Sequence, residues 1–111
     1  MISCYDTFRL LYYSLDSIWE ENKDENLCEF CSNMNPFLWK DEGSADPALY
    51  SHFKNQFEKK YKNECSYEDA YNFSKDYLKN EVDIYAKYAL DAFNKVSFEK
   101  WLETLKEKIN K

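Results

Sequence analysis

A chain of 111 residues that contains one glycine and two prolines has few means of reversing direction sharply. Tight hairpins and phosphate-cradling loops draw on residues that tolerate positive φ or preset it. A β-sandwich and a nucleotide-binding α/β fold are therefore disfavoured, and helices joined by short loops are the architecture to expect. Material for a core is plentiful: 44% of the residues are apolar and 19% are aromatic, with ten Tyr and eight Phe. That argues against disorder in spite of a charged fraction of 32%. The length suits one domain, residues 1–111, burying about two-thirds of its unfolded surface.

The run from Ser66 to Val96 reads as one long central helix. At 100° per residue, Tyr71, Val82, Tyr85, Ala89, Ala92 and Val96 fall within about 40° of Leu78. Ala70, Phe73, Tyr77, Ile84 and Tyr88 cluster about 100° away, so the apolar arc spans roughly 200° and calls for neighbours on two sides. Asn72, Asp76, Lys79, Asp83 and Lys87 form the solvated strip, with Asp83 and Lys87 at i,i+4 spacing. If the run breaks, Asn80 and Glu81 are where. Ser66 caps it, with Asp69 three residues on.

The other elements follow from caps and periodicity. Ser3 opens a first helix whose Phe8, Leu11, Tyr12, Leu15, Ile18 and Trp19 recur at 3 and 4 spacing, ending near Asn22. Asp24 or Asn26 caps a short second helix carrying Leu27, Phe30, Cys31 and Met34, which Pro36 stops. Residues 36–46 show no periodicity. Their triplet Phe37, Leu38, Trp39 is expected to fold back on the core, and Gly43 to supply a turn. Asp46 and Pro47 open a third helix with Leu49, Phe53, Phe57 and Tyr61 on its buried face, and Asn63 and Cys65 lie in a short loop. Ser97 caps a last helix with the stripe Phe98, Trp101, Leu102, Leu105 and Ile109, and Lys106, Lys108 and Lys111 suit its C-terminal end. The expected fold is all-α: an antiparallel bundle of four to five helices around a long central helix at about residues 67–96.

The formal charge of −6 lies in the first half. Residues 1–55 hold ten Asp and Glu against four Lys and Arg, whereas residues 56–111 hold eleven of each. Asp16, Glu20, Glu21, Asp24, Glu25 and Glu29 oppose only Lys23. Such a field repels phosphate backbones and steers a basic partner, so direct nucleic-acid binding is not expected. No apolar run approaches the ~18 residues of a membrane span, and the N-terminus lacks the pattern of an export signal. A cytoplasmic protein with reduced thiols is the corresponding expectation.

Motifs for chemistry are sparse. Cys28 and Cys31 make a Cys-x-x-Cys pair, but Cys4 and Cys65 are isolated and His52 stands apart, which does not match the usual zinc spacing. The pair also lacks the strand-then-helix setting of a redox motif. His52 falls at the edge of a buried face, where packing is its expected role, and no Ser-His-Asp arrangement exists. No metal or cofactor is expected. Asp41, Glu42 and Asp46 are the best located carboxylates for chemistry, because loops carry sites more often than helix faces. A carboxylate-based or metal-dependent helical enzyme is one alternative function, though the paired Glu-x-x-His motifs of di-iron bundles are absent. Mimicry of nucleic acid by carboxylates, inhibiting a DNA-binding enzyme, is another.

The leading expectation is a non-catalytic adaptor or inhibitor that meets a basic protein partner. Asp16, Glu20, Glu21, Asp24, Glu25 and Glu29, with Trp39, Asp41 and Glu42, form its candidate surface: an aromatic anchor with an acidic rim if the triplet is exposed. Exposed tyrosines on the central helix would point to a homodimer.

Overall fold

The computed structural model describes residues 1–110. In chain order the elements are β1 (Ile2–Ser3), α1 (Cys4–Asn22), α2 (Glu25–Met34), α3 (Pro47–Tyr61), β2 (Glu64–Cys65), α4 (Tyr67–Asn80), α5 (Ala86–Phe93) and α6 (Phe98–Thr104). The last helix continues as one π-turn, Leu105–Ile109, closed by the Asn110 N–H donating to the Leu105 carbonyl at 2.9 Å. The fold is an all-α bundle, with six helices among the described residues. Lys111, assigned above to the last turn, lies outside the described residues.

Local chemistry sets where the helices start. Ser3, Asp24, Asp46, Ser66 and Ser97 each sit in extended backbone and accept a backbone N–H from two or three residues ahead, which satisfies one of the orphan donors of a helix N-terminus. The stops are less conventional. Lys23 and Lys62 end α1 and α3 at φ of 53° and 67°, a conformation that costs a residue with a Cβ about 1 kcal/mol or more. Gly43 adopts no positive φ, so the turn expected of it does not use the freedom that glycine offers.

Two short segments read as loop or cap pair with each other. β1 and β2 run antiparallel, with Ile2 opposite Cys65 and Ser3 opposite Glu64. This tie between the N-terminus and the α3–α4 connection buries Ile2 and Cys65 in the core.

The run 66–96 is not one helix. It is divided into α4 and α5 by Glu81–Tyr85, at the position where Asn80 and Glu81 mark a possible break. Glu81 is extended, at φ −73° and ψ 133°. Asp83 then accepts the Tyr85 N–H through Oδ1 at 2.8 Å, and its carbonyl accepts the Ala86 N–H at 3.1 Å. A short polar side chain bonding its own backbone competes with the helical ladder, and the β-branched Val82 and Ile84 on either side add little helix propensity to oppose it. Val82 and Ile84, placed above on the apolar arc, are instead 85% and 73% exposed. Asp83 leaves the helix and no longer forms an i,i+4 strip with Lys87. The break turns α5 so that Ala86, Ala89, Ala92 and Phe93 are buried, its small alanine face letting α5 approach α1, α2 and α4.

The central position belongs to α1, which packs against α2, α3, α4, α5 and α6. Its buried positions, Cys4, Thr7, Phe8, Leu10, Leu11, Ser14, Leu15 and Ile18, sweep roughly 160° of its circumference. Beside it, Phe53 of α3 meets Phe8, Phe73 and Tyr77 edge-on at centroid distances of 5.1, 5.0 and 4.9 Å. Such pairs contribute about 0.5–1.5 kcal/mol each beyond the area they bury. At the other side Tyr71, Phe98 and Trp101 form a second ring cluster, and the Tyr71 hydroxyl donates to the Val96 carbonyl. The buried residues join in one contiguous core. Among the described residues, no helix is long and apolar enough to cross a membrane.

Candidate functional site

The segment between α2 and α3 stands off the core on a closed base. The Ala45 N–H donates to the Asn35 carbonyl at 2.9 Å, and the Asp46 N–H to the Asn33 carbonyl at 2.8 Å. With its ends tied, the segment is a compact loop of the Ω kind. Ser44 is fully buried beneath it; its hydroxyl donates to the Asp46 carbonyl and accepts the Tyr50 N–H at 3.0 Å. Tyr5 adds a second anchor by donating to the Pro36 carbonyl at 3.0 Å.

The aromatic triplet does not fold back on the core. Phe37, Leu38 and Trp39 keep 50%, 58% and 53% of their surface in solvent. The loop closes at residues 33–35 and 45–46, and of the residues entering it Pro36 is the one that is buried while the triplet stays outside. Yet the rings are held. Trp39 Nε1 donates to the Ser44 carbonyl at 2.8 Å, and Phe37 lies 5.8 Å from the Tyr12 ring and 5.7 Å from the Tyr13 ring. An open groove of about 530 Å³ runs beside the indole, with Asp41, Glu42, Tyr50, Ser51 and Lys54 on its walls.

Behind the groove, the Tyr50 hydroxyl sits 3.2 Å from Glu42 Oε1 and 3.9 Å from Cys4 Sγ. The phenol is the donor toward both groups, and with one hydrogen to give it favours the nearer, charged Glu42 carboxylate over the thiol sulfur. Burial pushes the Cys4 thiol up to about 11, the Tyr50 hydrogen bond opposing part of that rise. Burial raises Tyr50 as well, with the neighbouring Cys4 and Glu42 adding to it. Both groups keep their protons at neutral pH. The trio therefore supplies neither a thiolate nucleophile nor a phenolate base; it orients Glu42 at the groove wall.

The acids of the first half fall into two groups. Asp41 and Glu42 share the groove with Trp39. Asp16, Glu20, Glu21, Asp24, Glu25 and Glu29 gather where α1 turns into α2, at the other end of a ten-residue helix and so about 15 Å along its axis. There Asp24 is committed to capping, its Oδ1 accepting the Asn26 N–H at 2.9 Å. Lys23 pairs with Glu20 at 3.1 Å and lies 3.9 Å over the Trp19 ring. Asp16 is raised above the usual carboxylate range, first by burial and then by Glu20, with Lys23 and Lys108 pulling the other way. One face of α1 connects the two groups: Tyr12 and Tyr13 under Phe37, Asp16 a turn further on, and Glu20 a turn beyond that.

Periodicity did not single out Tyr12, Tyr13 or Tyr50 as surface or groove residues, since an aromatic ring at a helical spacing reads as core whichever side it faces. The Asp46–Tyr50–Lys54 spacing of i, i+4, i+8 is the signal that could have placed Tyr50 beside the loop. The cysteines do not converge. All four are free thiols, and among the described residues no three Cys, His, Asp or Glu side chains are grouped to hold a metal ion. His52, expected at the edge of the buried face, is exposed and pairs with Glu81 through Nδ1 at 3.2 Å. The chain matches no protein-family model, no curated protein and no solved structure.

Proposed function

We propose that this chain is a non-catalytic protein-binding module, an adaptor or an inhibitor, that seats a basic partner on the loop around Trp39 and draws it in with the acidic first half. The observation that carries the reading is an indole half in solvent and already held by its Nε1 bond to Ser44. An exposed aromatic ring that is ordered before binding loses little side-chain entropy on association, which is what a binding anchor requires. Asp41 and Glu42 flank it with negative charge, and the acids from Asp16 to Glu29 extend the same sign along α1 and α2, favouring approach of Lys- and Arg-rich surfaces at moderate salt. The same field opposes nucleic acid as a direct ligand. Four unpaired thiols support a reducing, cytoplasmic setting.

The test is affinity capture from cells that make the protein, with wild type, Trp39→Ala and a charge-reversed variant carrying Glu20→Lys, Glu21→Lys, Asp24→Lys and Glu25→Lys. The reading expects one stoichiometric partner with a basic surface, lost in Trp39→Ala and weakened in the charge-reversed chain in a salt-dependent way. A partner retained equally by all three baits contradicts it. A second copy of this chain is the competing occupant, and light scattering showing a dimer that Trp39→Ala dissociates would identify it.

A further inference from the structure

On the side of α1 away from the Trp39 loop, the interface with α6 is polar and unfilled. Ser14, Ser17 and Glu21 recur on α1 at i, i+3 and i+7, and Ser97, Lys100 and Thr104 recur on the facing segment with the same spacing. Interface stripes at this period ordinarily carry apolar side chains that interdigitate. Here both stripes, with Lys95 at the rim, enclose a cavity of about 300 Å³ floored by Ile18 and Val96.

The donors in this cavity are uncommitted. Lys95 and Lys100 have no carboxylate within salt-bridge distance and lie over no ring, among the described residues. Ser97 Oγ accepts the Lys100 N–H at 3.1 Å, so its own hydrogen is free to donate, and the Ser17 hydroxyl is likewise available. Ser14 and Thr104 have given their hydrogens to the Leu10 and Lys100 carbonyls at 2.8 and 3.1 Å and retain lone pairs that accept. Among the lining residues the two ammonium groups outnumber the single carboxylate, Glu21, in a protein of net charge −6.

We propose that this cavity binds a small phosphomonoester, its phosphate held by Lys95, Lys100 and the Ser97 hydroxyl and the hydroxyls of its remainder facing Glu21, Ser14 and Thr104. Lysine serves phosphate as a point charge, and hydroxyl donors complete the shell. The volume exceeds that of a phosphate alone and stands at the lower end of the ~300–1,000 Å³ typical of ligand pockets. This site is separate from the Trp39 groove but shares Glu21 with the acidic patch where α1 turns into α2.

The experiment is an amide ¹H–¹⁵N titration of the full chain at constant ionic strength, with inorganic phosphate, glycerol phosphate, glycerol and sodium chloride as separate arms. Inorganic phosphate is expected to give saturable shifts centred on Ser17, Ser97 and Lys100. Glycerol phosphate should saturate at lower concentration, and glycerol or chloride should produce neither effect. In Lys95→Gln and Lys100→Gln the affinity should fall about tenfold or more for each lysine removed. Both lysines are exposed, so the variants should melt like wild type. Glu21→Gln should tighten inorganic phosphate while reducing the advantage of the ester. Shifts that fail to saturate, that chloride reproduces, or that survive both lysine substitutions overturn the proposal, as does glycerol phosphate binding no better than phosphate.

Discussion

Trp39 Nε1 donates to the carbonyl of Ser44, five residues along the same loop, at 2.8 Å, while the indole face stays half in water. One bond thus decides whether an exposed ring is a flexible tail or a formed contact surface. Ser44 is itself buried and bonded on both sides, so the acceptor does not move.

Replacing Trp39 by Phe keeps the ring and removes the donor. A net loss of about 1 kcal/mol is expected, the usual worth of one intramolecular hydrogen bond. Urea denaturation measures it. Hydrogen exchange should show faster opening of residues 40–46 with the helices unaffected; protection unchanged in that loop would mean that the bond does not hold it.

His52 and Glu81 form a second relationship with a measurable consequence. Both Glu81 oxygens lie 3.2 Å from His52 Nδ1, and the Glu81 side chain is only 2% exposed. His52→Ala leaves that carboxylate buried with one partner fewer and should cost about 1–3 kcal/mol, where an ordinary exposed histidine would cost within about 0.5 kcal/mol. Adding Glu81→Gln to His52→Ala should recover part of the loss. A double-mutant cycle with no coupling between the two sites would contradict the pairing.

Alkaline pH should destabilise the protein through its buried thiols, with the buried Tyr50 and Tyr77 hydroxyls acting in the same direction at higher pH. Burial holds Cys4 and Cys65 at about 11 and Cys31 at about 12, against 9.0 for an ordinary thiol. Across that interval the folded state keeps protons that the unfolded chain has released, so stability present below about pH 9 declines steadily towards pH 11–12. Denaturation midpoints measured from pH 7 to 11 should fall, and Cys31→Ala, despite its own packing cost, should flatten the fall. At pH 8, thiol reagents should modify Cys28 well before Cys4, Cys31 and Cys65.

The division between α4 and α5 makes opposite demands on neighbouring residues. Val82→Asn and Ile84→Lys should change stability by no more than about 0.5 kcal/mol, because both side chains already face water. Phe93→Ala should cost about 3–5 kcal/mol by leaving a cavity, and Ala89→Leu about 1–3 kcal/mol by overfilling the close approach of α5. Thermal or urea melts of these four variants distinguish the observed bend from a continuous rod, in which Val82 and Ile84 would be core residues.

What was legible in the chain was local. Ser3, Asp24, Asp46, Ser66 and Ser97 announce their helices because a cap acts over three residues, and Pro36 and Pro47 bound the loop by fixing φ. The hub was not legible: the arc on residues 66–96 is as broad as that on α1, and only the local bonding of Asp83 shows that the former cannot stay straight. Pairing of Ile2 with Cys65 joins residues far apart in the chain and leaves no signature in two-residue strands. The exposure of Trp39 depends on backbone bonds from residues 45 and 46 to residues 35 and 33, which no side-chain pattern encodes. Asp41 and Glu42 stand out in the sequence as loop acids, but the role of Tyr50 in orienting Glu42 follows from packing alone.

The most direct test of the binding account is the affinity of the captured partner for wild type and for Trp39→Ala, measured by calorimetry on proteins with matching thermal melts. Loss of at least about 2 kcal/mol, the size of an interface hot spot, is the expected result, and the remaining affinity should weaken further with salt. Equal affinities for the two chains would contradict the claim that the exposed indole is the anchor.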